Sequence, residues 1–167
     1  MKKKLSLTMY YLFLFIFLEL CYKGYILHNI FTLDTLLIIL FSIPMALLFS
    51  IISTLLSEKA NRVFSIIWSI LITLIFGSQL IYFKFYNGMF SIYSVTAGTG
   101  QVFGDFLGEI VSKVISNIWI IILMILPTIL FIIFGKKLFN FKRKSKKLII
   151  KLVSLVVFIV INLVILI

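Results

Sequence analysis

Five apolar runs of about twenty residues dominate this sequence and leave few folds open to it. They lie at about 5–22, 33–56, 63–82, 114–134 and 148–167. A helix of about 20 apolar residues crosses a bilayer, whereas strands of a membrane barrel are about half as long and alternate in polarity. The chain is 63% hydrophobic and 13% charged, whereas soluble domains average about half and about one quarter. We predict an all-α, polytopic membrane protein with five transmembrane helices.

The basic residues predict how these helices are oriented. With the N-terminus in the cytoplasm, the inner segments hold twelve of the sixteen basic residues, namely Lys2, Lys3, Lys4, Lys59, Arg62, Lys136, Lys137, Lys142, Arg143, Lys144, Lys146 and Lys147. The outer segments hold Lys23, Lys84 and Lys113, and Lys151 lies one turn inside the fifth run, from which its long side chain reaches back to the inner surface. Cytoplasmic segments carry the excess of Lys and Arg. We therefore predict a cytoplasmic N-terminus and an extracellular C-terminus in the plasma membrane.

The first apolar run has a second interpretation, as a cleaved signal peptide. Three lysines followed by an apolar stretch have the charge and length of such a peptide. The residues that follow, Glu19 to Lys23, are bulky and charged and contain no cleavage site of small residues. We therefore expect an uncleaved first helix.

The fifth apolar run reaches Ile167 without the polar or aromatic flank that usually follows a membrane span. We therefore expect residues 1–167 to be the transmembrane domain of a longer protein. Because the number of spans is odd, the domain expected after residue 167 would be extracellular.

The loop at 83–113 is too long for a simple connector, and its second half has the period of a helix. Its apolar residues share one face, and Gln101, Asp105, Glu109 and Lys113 lie opposite, four residues apart. We predict an extracellular amphipathic helix between spans three and four. Gln101, Asp105 and Glu109 are candidate contacts with lipid or with an external domain. Its glycines, Gly100, Gly104 and Gly108, form a strip that either packs on span three or four or receives a lipid or another domain.

The inner loop between spans four and five carries seven basic residues and no acid. They are Lys136, Lys137, Lys142, Arg143, Lys144, Lys146 and Lys147. One interpretation is a topology signal beside anionic headgroups, where each cation contributes about 1 kcal/mol of attraction. The other is a specific anionic-lipid site, with Phe139 and Phe141 inserted into the membrane interface. Membrane lipids are the predicted partners in both cases.

No catalytic constellation is recognisable in the sequence. The single histidine, His28, has no second histidine with which to hold a metal ion. Glu19 precedes Lys23 by one helical turn, which predicts an interfacial ion pair. Asn162, in the fifth run, predicts a hydrogen bond to a neighbouring helix. The chain has a formal charge of +11, but its basic residues lie between the apolar runs and accompany no base-reading motif. We therefore expect no nucleic-acid partner.

Two segments of the chain resemble the membrane domain of the lipoteichoic acid synthase family. The segments are QLIYFKFYNGMFSIYS at 79–94 and AGTGQVFGDF at 97–106. Five spans with the N-terminus inside, a long second outer loop carrying a helix, and a basic fourth connector are similar to that family as well. Abundant Lys, Ile, Phe and Asn also fit the A/T-rich genome of a Gram-positive bacterium.

The resemblance implies a role in lipoteichoic acid synthesis, a part of cell-wall biogenesis. Members of the family are phosphoglycerol transferases. Their extracellular sulfatase-like domain takes glycerol phosphate from phosphatidylglycerol through a threonine nucleophile and a divalent metal, commonly manganese, with magnesium as the other expected ion. None of those residues has a counterpart here, so no catalytic, cofactor-binding or metal-binding residue is assigned. The resemblance implies that this chain is an anchor and orienting domain, inactive alone.

Two other functions stay open at this stage. One is a small complete membrane protein, such as a transporter or flippase subunit or an assembly factor. Few polar residues lie within the spans, which counts against a transporter acting alone, because solutes need a polar path. The other is a sensor of anionic lipid, which would need an output domain in the cytoplasm.

Overall fold

Helices make up almost all of the chain that the computed structural model describes, which is residues 4–28, 32–86, 88, 102–142 and 145–166. In these ranges lie helices α1 (Leu7–Leu27), α2 (Leu33–Ile52), α3 (Glu58–Tyr86), α4 (Val102–Ser116), α5 (Ile118–Leu138) and α6 (Ser145–Leu166), and the two-residue strands β1 (Leu5–Ser6) and β2 (Phe139–Asn140). All of the helices except α4 are long and apolar enough to cross a membrane. The predicted all-α, multi-pass membrane fold is confirmed.

Helix α1 forms the centre of the bundle. It contacts α2, α3 and α5, whereas α6 packs mainly against α2. Leu7, Tyr11, Leu14 and Leu18 of α1 are at most 1% exposed. Their spacing of four, three and four residues places them along one side of the helix, where neighbouring helices meet it.

The predicted first span stops at residue 22, but α1 continues to Leu27. It ends at His28, whose positive φ of 53° gives the left-handed conformation that commonly terminates helices. Lys23 therefore lies inside the helix. Because its ammonium group finds oxygen partners at the start of α2, the cation does not end the helix.

The predicted fourth span begins at residue 114, but a break at Asn117 separates α4 from α5. The Asn117 side-chain amide donates a hydrogen bond to the carbonyl oxygen of Lys113 at 2.5 Å. The backbone N–H of Asn117 donates to the same oxygen at 3.1 Å and to the carbonyl oxygen of Val114 at 3.2 Å. Asn117 thus closes the last turn of α4 with both its backbone and its side chain. The predicted helix between spans three and four is confirmed as an element of its own.

Strands β1 and β2 join the N-terminal segment to the chain that follows α5. They pair in parallel, with Leu5 opposite Phe139 and Ser6 opposite Asn140. Beside them, the Asn61 amide nitrogen of α3 donates to the carbonyl oxygen of Phe141 at 2.8 Å. No local pattern in the sequence predicts this pairing. It brings the start of α1, the start of α3 and the end of α5 together at one end of the bundle.

Candidate functional site

The end of the bundle where β1 and β2 pair, called the basic end, gathers lysines from three parts of the chain. Lys4, Lys142 and Lys151 line a recess of about 90 Å³ there. The Lys4 ammonium donates to the carbonyl oxygen of Lys136 at 3.0 Å, and the Lys151 ammonium donates to the Ser50 hydroxyl at 2.5 Å. As predicted, Lys151 reaches back toward this end.

The basic residues predicted to contact anionic lipid are described to different extents. Lys136 and Lys137 lie in the last turn of α5 and are exposed, as is Lys142. Arg143 and Lys144 lie outside the described residues, and Lys146 and Lys147 are described as backbone in the first turn of α6. Contact of these residues with lipid stays a prediction.

The two phenylalanines of the basic loop pack on the protein, whereas the specific-lipid-site interpretation of that loop placed them in the membrane interface. Phe141 is 3% exposed. The ring centroid of Phe131 lies 5.5 Å from that of Phe139 and 6.0 Å from that of Phe141. Strand pairing and the Asn61 hydrogen bond turn this segment inward, so Phe141 joins the buried core and the half-buried Phe139 packs against it.

At the opposite end of the bundle, Lys23 is the centre of a polar cluster. Its ammonium group is buried and donates hydrogen bonds to the hydroxyls of Thr32 and, at 3.1 Å, Thr35. It also pairs with the Asp34 carboxylate at 3.9 Å. Within the described ranges, Lys23 forms no ion pair with Glu19, so the predicted Glu19–Lys23 pair is wrong. The three oxygens offered by the start of α2 draw the ammonium group away from α1.

Tyr25 ties the junction of α4 and α5 to the rest of this opposite end. The Tyr25 hydroxyl donates a hydrogen bond to the side-chain oxygen of Asn117. Its ring packs edge-on against Trp119 with centroids 5.0 Å apart, and the Lys84 ammonium lies 4.4 Å from its ring centroid. Contacts from α1, α3 and α5 thus fix where α4 leaves the bundle.

The candidate contact residues of the loop at 83–113 are described only in part. Gln101 lies outside the described residues, and Asp105 and Glu109 are described as backbone positions of α4. Gly108 is exposed, and a Cβ added there meets nothing within 4 Å. At Gly108, therefore, the glycine strip does not pack closely on α3 or α5.

A groove between α1, α2 and α6, called the side groove, has a volume of about 560 Å³. Most of its wall is apolar and includes Phe15, Leu48 and Leu155, and its polar lining residues are Glu19, Asp34, Ser42 and Asn162. The size lies within the range of ligand pockets, about 300–1,000 Å³. Glu19 is half-buried.

Asn162 differs from the hydrogen-bonded polar residues elsewhere in the bundle. It is 6% exposed, and neither its amide nitrogen nor its amide oxygen has a hydrogen-bond partner in the described part of the chain. The predicted interhelical hydrogen bond is therefore wrong for these residues. The described residues of the neighbouring helices offer no hydrogen-bonding group to Asn162, which instead lines the side groove.

A row of small polar residues in α3 was missed by the sequence analysis. Asn61, Ser65, Ser69 and Thr73 are spaced four residues apart and are at most 5% exposed. The Tyr10 hydroxyl of α1 donates to Ser69 at 2.9 Å, and Thr73 bonds Thr128 of α5 at 2.9 Å. Small residues at this spacing let helices approach closely in membranes. The spacing of four was the signal that could have identified the row.

No three His, Cys, Asp or Glu side chains within the described ranges lie close enough together to hold a metal ion. Comparisons of the chain with protein-family models, with curated protein sequences and with solved structures found no match. The resemblance to the lipoteichoic acid synthase family stays a prediction.

Proposed function

We propose that this chain is the membrane anchor and orienting domain of a phosphoglycerol transferase that acts in lipoteichoic acid synthesis. In this proposal the basic end lies in the cytoplasm and the opposite end, with α4, lies outside a bacterial plasma membrane. Its lipid partners include anionic lipids such as phosphatidylglycerol.

The observation that carries the proposal is the separation of charge between the two ends of the bundle. Among the described residues, the basic end holds Lys4, Lys59, Arg62, Lys136, Lys137, Lys142 and Lys151, and the opposite end and α4 hold Lys23, Lys84 and Lys113. Lys23 is engaged with Asp34, which leaves the opposite end still less basic. An excess of exposed cations at one end supports its location in the cytoplasm, beside anionic headgroups.

The construction of the opposite end supports an orienting role. Tyr25, Asn117 and Trp119 hold the junction of α4 and α5 against α1. The segments that resemble the synthase family, at 79–94 and 97–106, lead into α4. A helix fixed in this way offers a defined surface at which an extracellular domain is held relative to the membrane.

Cysteine labelling tests the orientation. Cys21 is the single cysteine, so a Cys21→Ser background allows one cysteine to be placed at His28 or at Lys142, both of which are exposed. In intact cells, a membrane-impermeant maleimide should label His28→Cys, whereas Lys142→Cys should react only after permeabilisation. The reverse pattern would overturn the proposed orientation and, with it, the extracellular anchor.

The role in polymer synthesis needs a test in the source cells. A blot with an antibody to the N-terminal segment should detect a polypeptide well above 19.3 kDa, as expected when a catalytic domain follows. In the full-length protein, replacing Gln101, Asp105 and Glu109 together by Ala should lower glycerol phosphate polymer synthesis. Unchanged synthesis would remove these residues from the proposal, and a band at 19.3 kDa would favour a transporter subunit or assembly factor instead.

A further inference from the structure

The side groove combines the two kinds of surface that a membrane lipid presents. Phe15, Leu48 and Leu155 belong to its apolar wall, and Glu19 and Asn162 are two of its four polar lining residues. Glu19 lies eight residues, about 12 Å, before the end of α1. Polar groups and apolar groups thus lie beside one another along the groove, as the glycerol and the acyl chains do in a lipid.

The unpaired amide of Asn162 indicates that the groove has a polar occupant. An amide without a hydrogen-bond partner is costly inside a bilayer, where water does not replace the missing bond. The Asn162 nitrogen and oxygen both lack a partner in the described part of the chain, although the residue is 6% exposed. A hydroxyl group in the groove satisfies both atoms, because a hydroxyl donates one hydrogen bond and accepts others.

The charges around the groove select against a phosphate group. Two carboxyl groups, Glu19 and Asp34, line it, and its described lining contains no lysine or arginine. Lys23, which pairs with the lining residue Asp34, is already engaged by Thr32 and Thr35 as well. A phosphate anion would meet the Glu19 carboxyl group and an Asp34 carboxylate that already occupies Lys23, with no lysine or arginine in the described lining to bind it. An uncharged, hydroxyl-bearing headgroup meets both a donor and acceptors.

We propose that the side groove binds an uncharged lipid of the diacylglycerol class, with the lipid hydroxyl on Asn162 and Glu19 and an acyl chain along Phe15, Leu48 and Leu155. The proposal goes beyond anchoring and holds for whichever enzyme or partner the membrane domain serves. A failure of lipid binding would leave the labelling result at His28 and Lys142 standing. A reversed orientation would equally leave the groove and its occupant in place.

Photocrosslinking of the full chain in phosphatidylcholine vesicles tests this site. A trace of diacylglycerol with a diazirine in its acyl chain should crosslink to peptides of α2 and α6. Excess unlabelled diacylglycerol should abolish the crosslink, and the same amount of phosphatidylglycerol should not. Asn162→Leu should lower crosslinking about threefold to tenfold, the loss expected for one or two hydrogen bonds within a membrane. The control Val160→Leu changes an exposed residue of the same helix outside the groove lining and should leave crosslinking unchanged.

Thermal unfolding in detergent separates loss of the site from loss of the fold. Asn162→Leu removes an unpaired amide, so its unfolding temperature without lipid should equal or exceed that of the wild type. A lower unfolding temperature would contradict the unpaired amide on which the proposal rests. Equal competition by phosphatidylglycerol, or undiminished crosslinking of Asn162→Leu, would overturn it. A different outcome is a crosslink between two copies of the chain through α6 that is lost in Asn162→Leu. That result would show that a second copy, and not a lipid, occupies the groove.

Discussion

Helices α1 and α6 are both apolar enough to cross a membrane, but they are held in the protein in different ways. In the apolar part of α1, 39% of residues are buried inside the protein, against 6% in α6. The Tyr10 and Tyr11 hydroxyls of α1 bond neighbouring helices and that of Tyr22 has no partner in the described residues, whereas α6 bonds α2 through Lys151 and has an amide without a partner there. Hydrophobicity inserts both helices, but lipid tails are as apolar as leucine, so packing and hydrogen bonds decide which helices hold together.

Shortening one leucine in each helix should give the largest contrast. Leu14 in α1 is fully buried, and Leu152 in α6 is 42% exposed. Leu14→Ala should lower the free energy of unfolding by about 2–5 kcal/mol. The substitution leaves a cavity, and the side chains around it lose their packing contacts with Leu14. Leu152→Ala should change it by less than about 0.5 kcal/mol. Unfolding by denaturing detergent measures both, and equal losses would break the distinction between the two helices.

Asn61→Ala should have the next largest effect, at the basic end. The side chain bonds the backbone of Leu56 in both directions and the carbonyl of Phe141. Its removal leaves the buried carbonyl of Phe141 and two part-buried backbone groups of Leu56 without this partner, which costs about 1–3 kcal/mol. Hydrogen exchange of the Leu56 amide should become faster. Asn140→Ala, which loses a single local bond to the Lys142 amide, is the control, and similar exchange in the two variants would contradict this account.

A double-mutant cycle on Tyr11 and Ser53 should give the smallest effect. Their hydroxyls lie 2.7 Å apart between α1 and the end of α2. Tyr11→Phe and Ser53→Ala should be coupled by about 0.6 kcal/mol, the average for hydrogen bonds between membrane helices. Tyr11→Phe should show no coupling to Ser78→Ala, because Ser78 is exposed and bonds within its own helix. Comparable coupling in both cycles would show that the Tyr11 hydroxyl acts through the whole fold.

The sequence predicted the helices better than their partners. Length and hydrophobicity locate the spans because the bilayer imposes both, and the period of 102–114 identified α4. The ends at His28 and Asn117 were missed because they depend on side chains from elsewhere in the chain, such as Tyr25 on Asn117. The local sequence around a helix end does not specify those distant partners.

The same limit explains the corrections at the two ends of the bundle. Phe141 stands among lysines and is therefore typical of an interfacial residue, but a strand pairing with the N-terminal segment turns it inward. Lys23 lies one turn after Glu19, but its oxygen partners come from the start of α2. Asn162 was assigned an interhelical bond because most buried amides have one. Asn162 lines the side groove instead. That groove is formed where several helices meet, and local sequence does not specify how those helices are placed.

The pairing of β1 with β2 also sets an order for synthesis. Leu5 leaves the ribosome early, but its partner Phe139 is made 134 residues later. At about 5–20 residues per second, the N-terminal segment waits on the order of 10 s for its partner. A copy of α5 inserted upside down would place Phe139 across the bilayer from Leu5, and the strands would never meet. Closure of this end therefore comes late and succeeds only in chains whose earlier helices have crossed the membrane in the right direction.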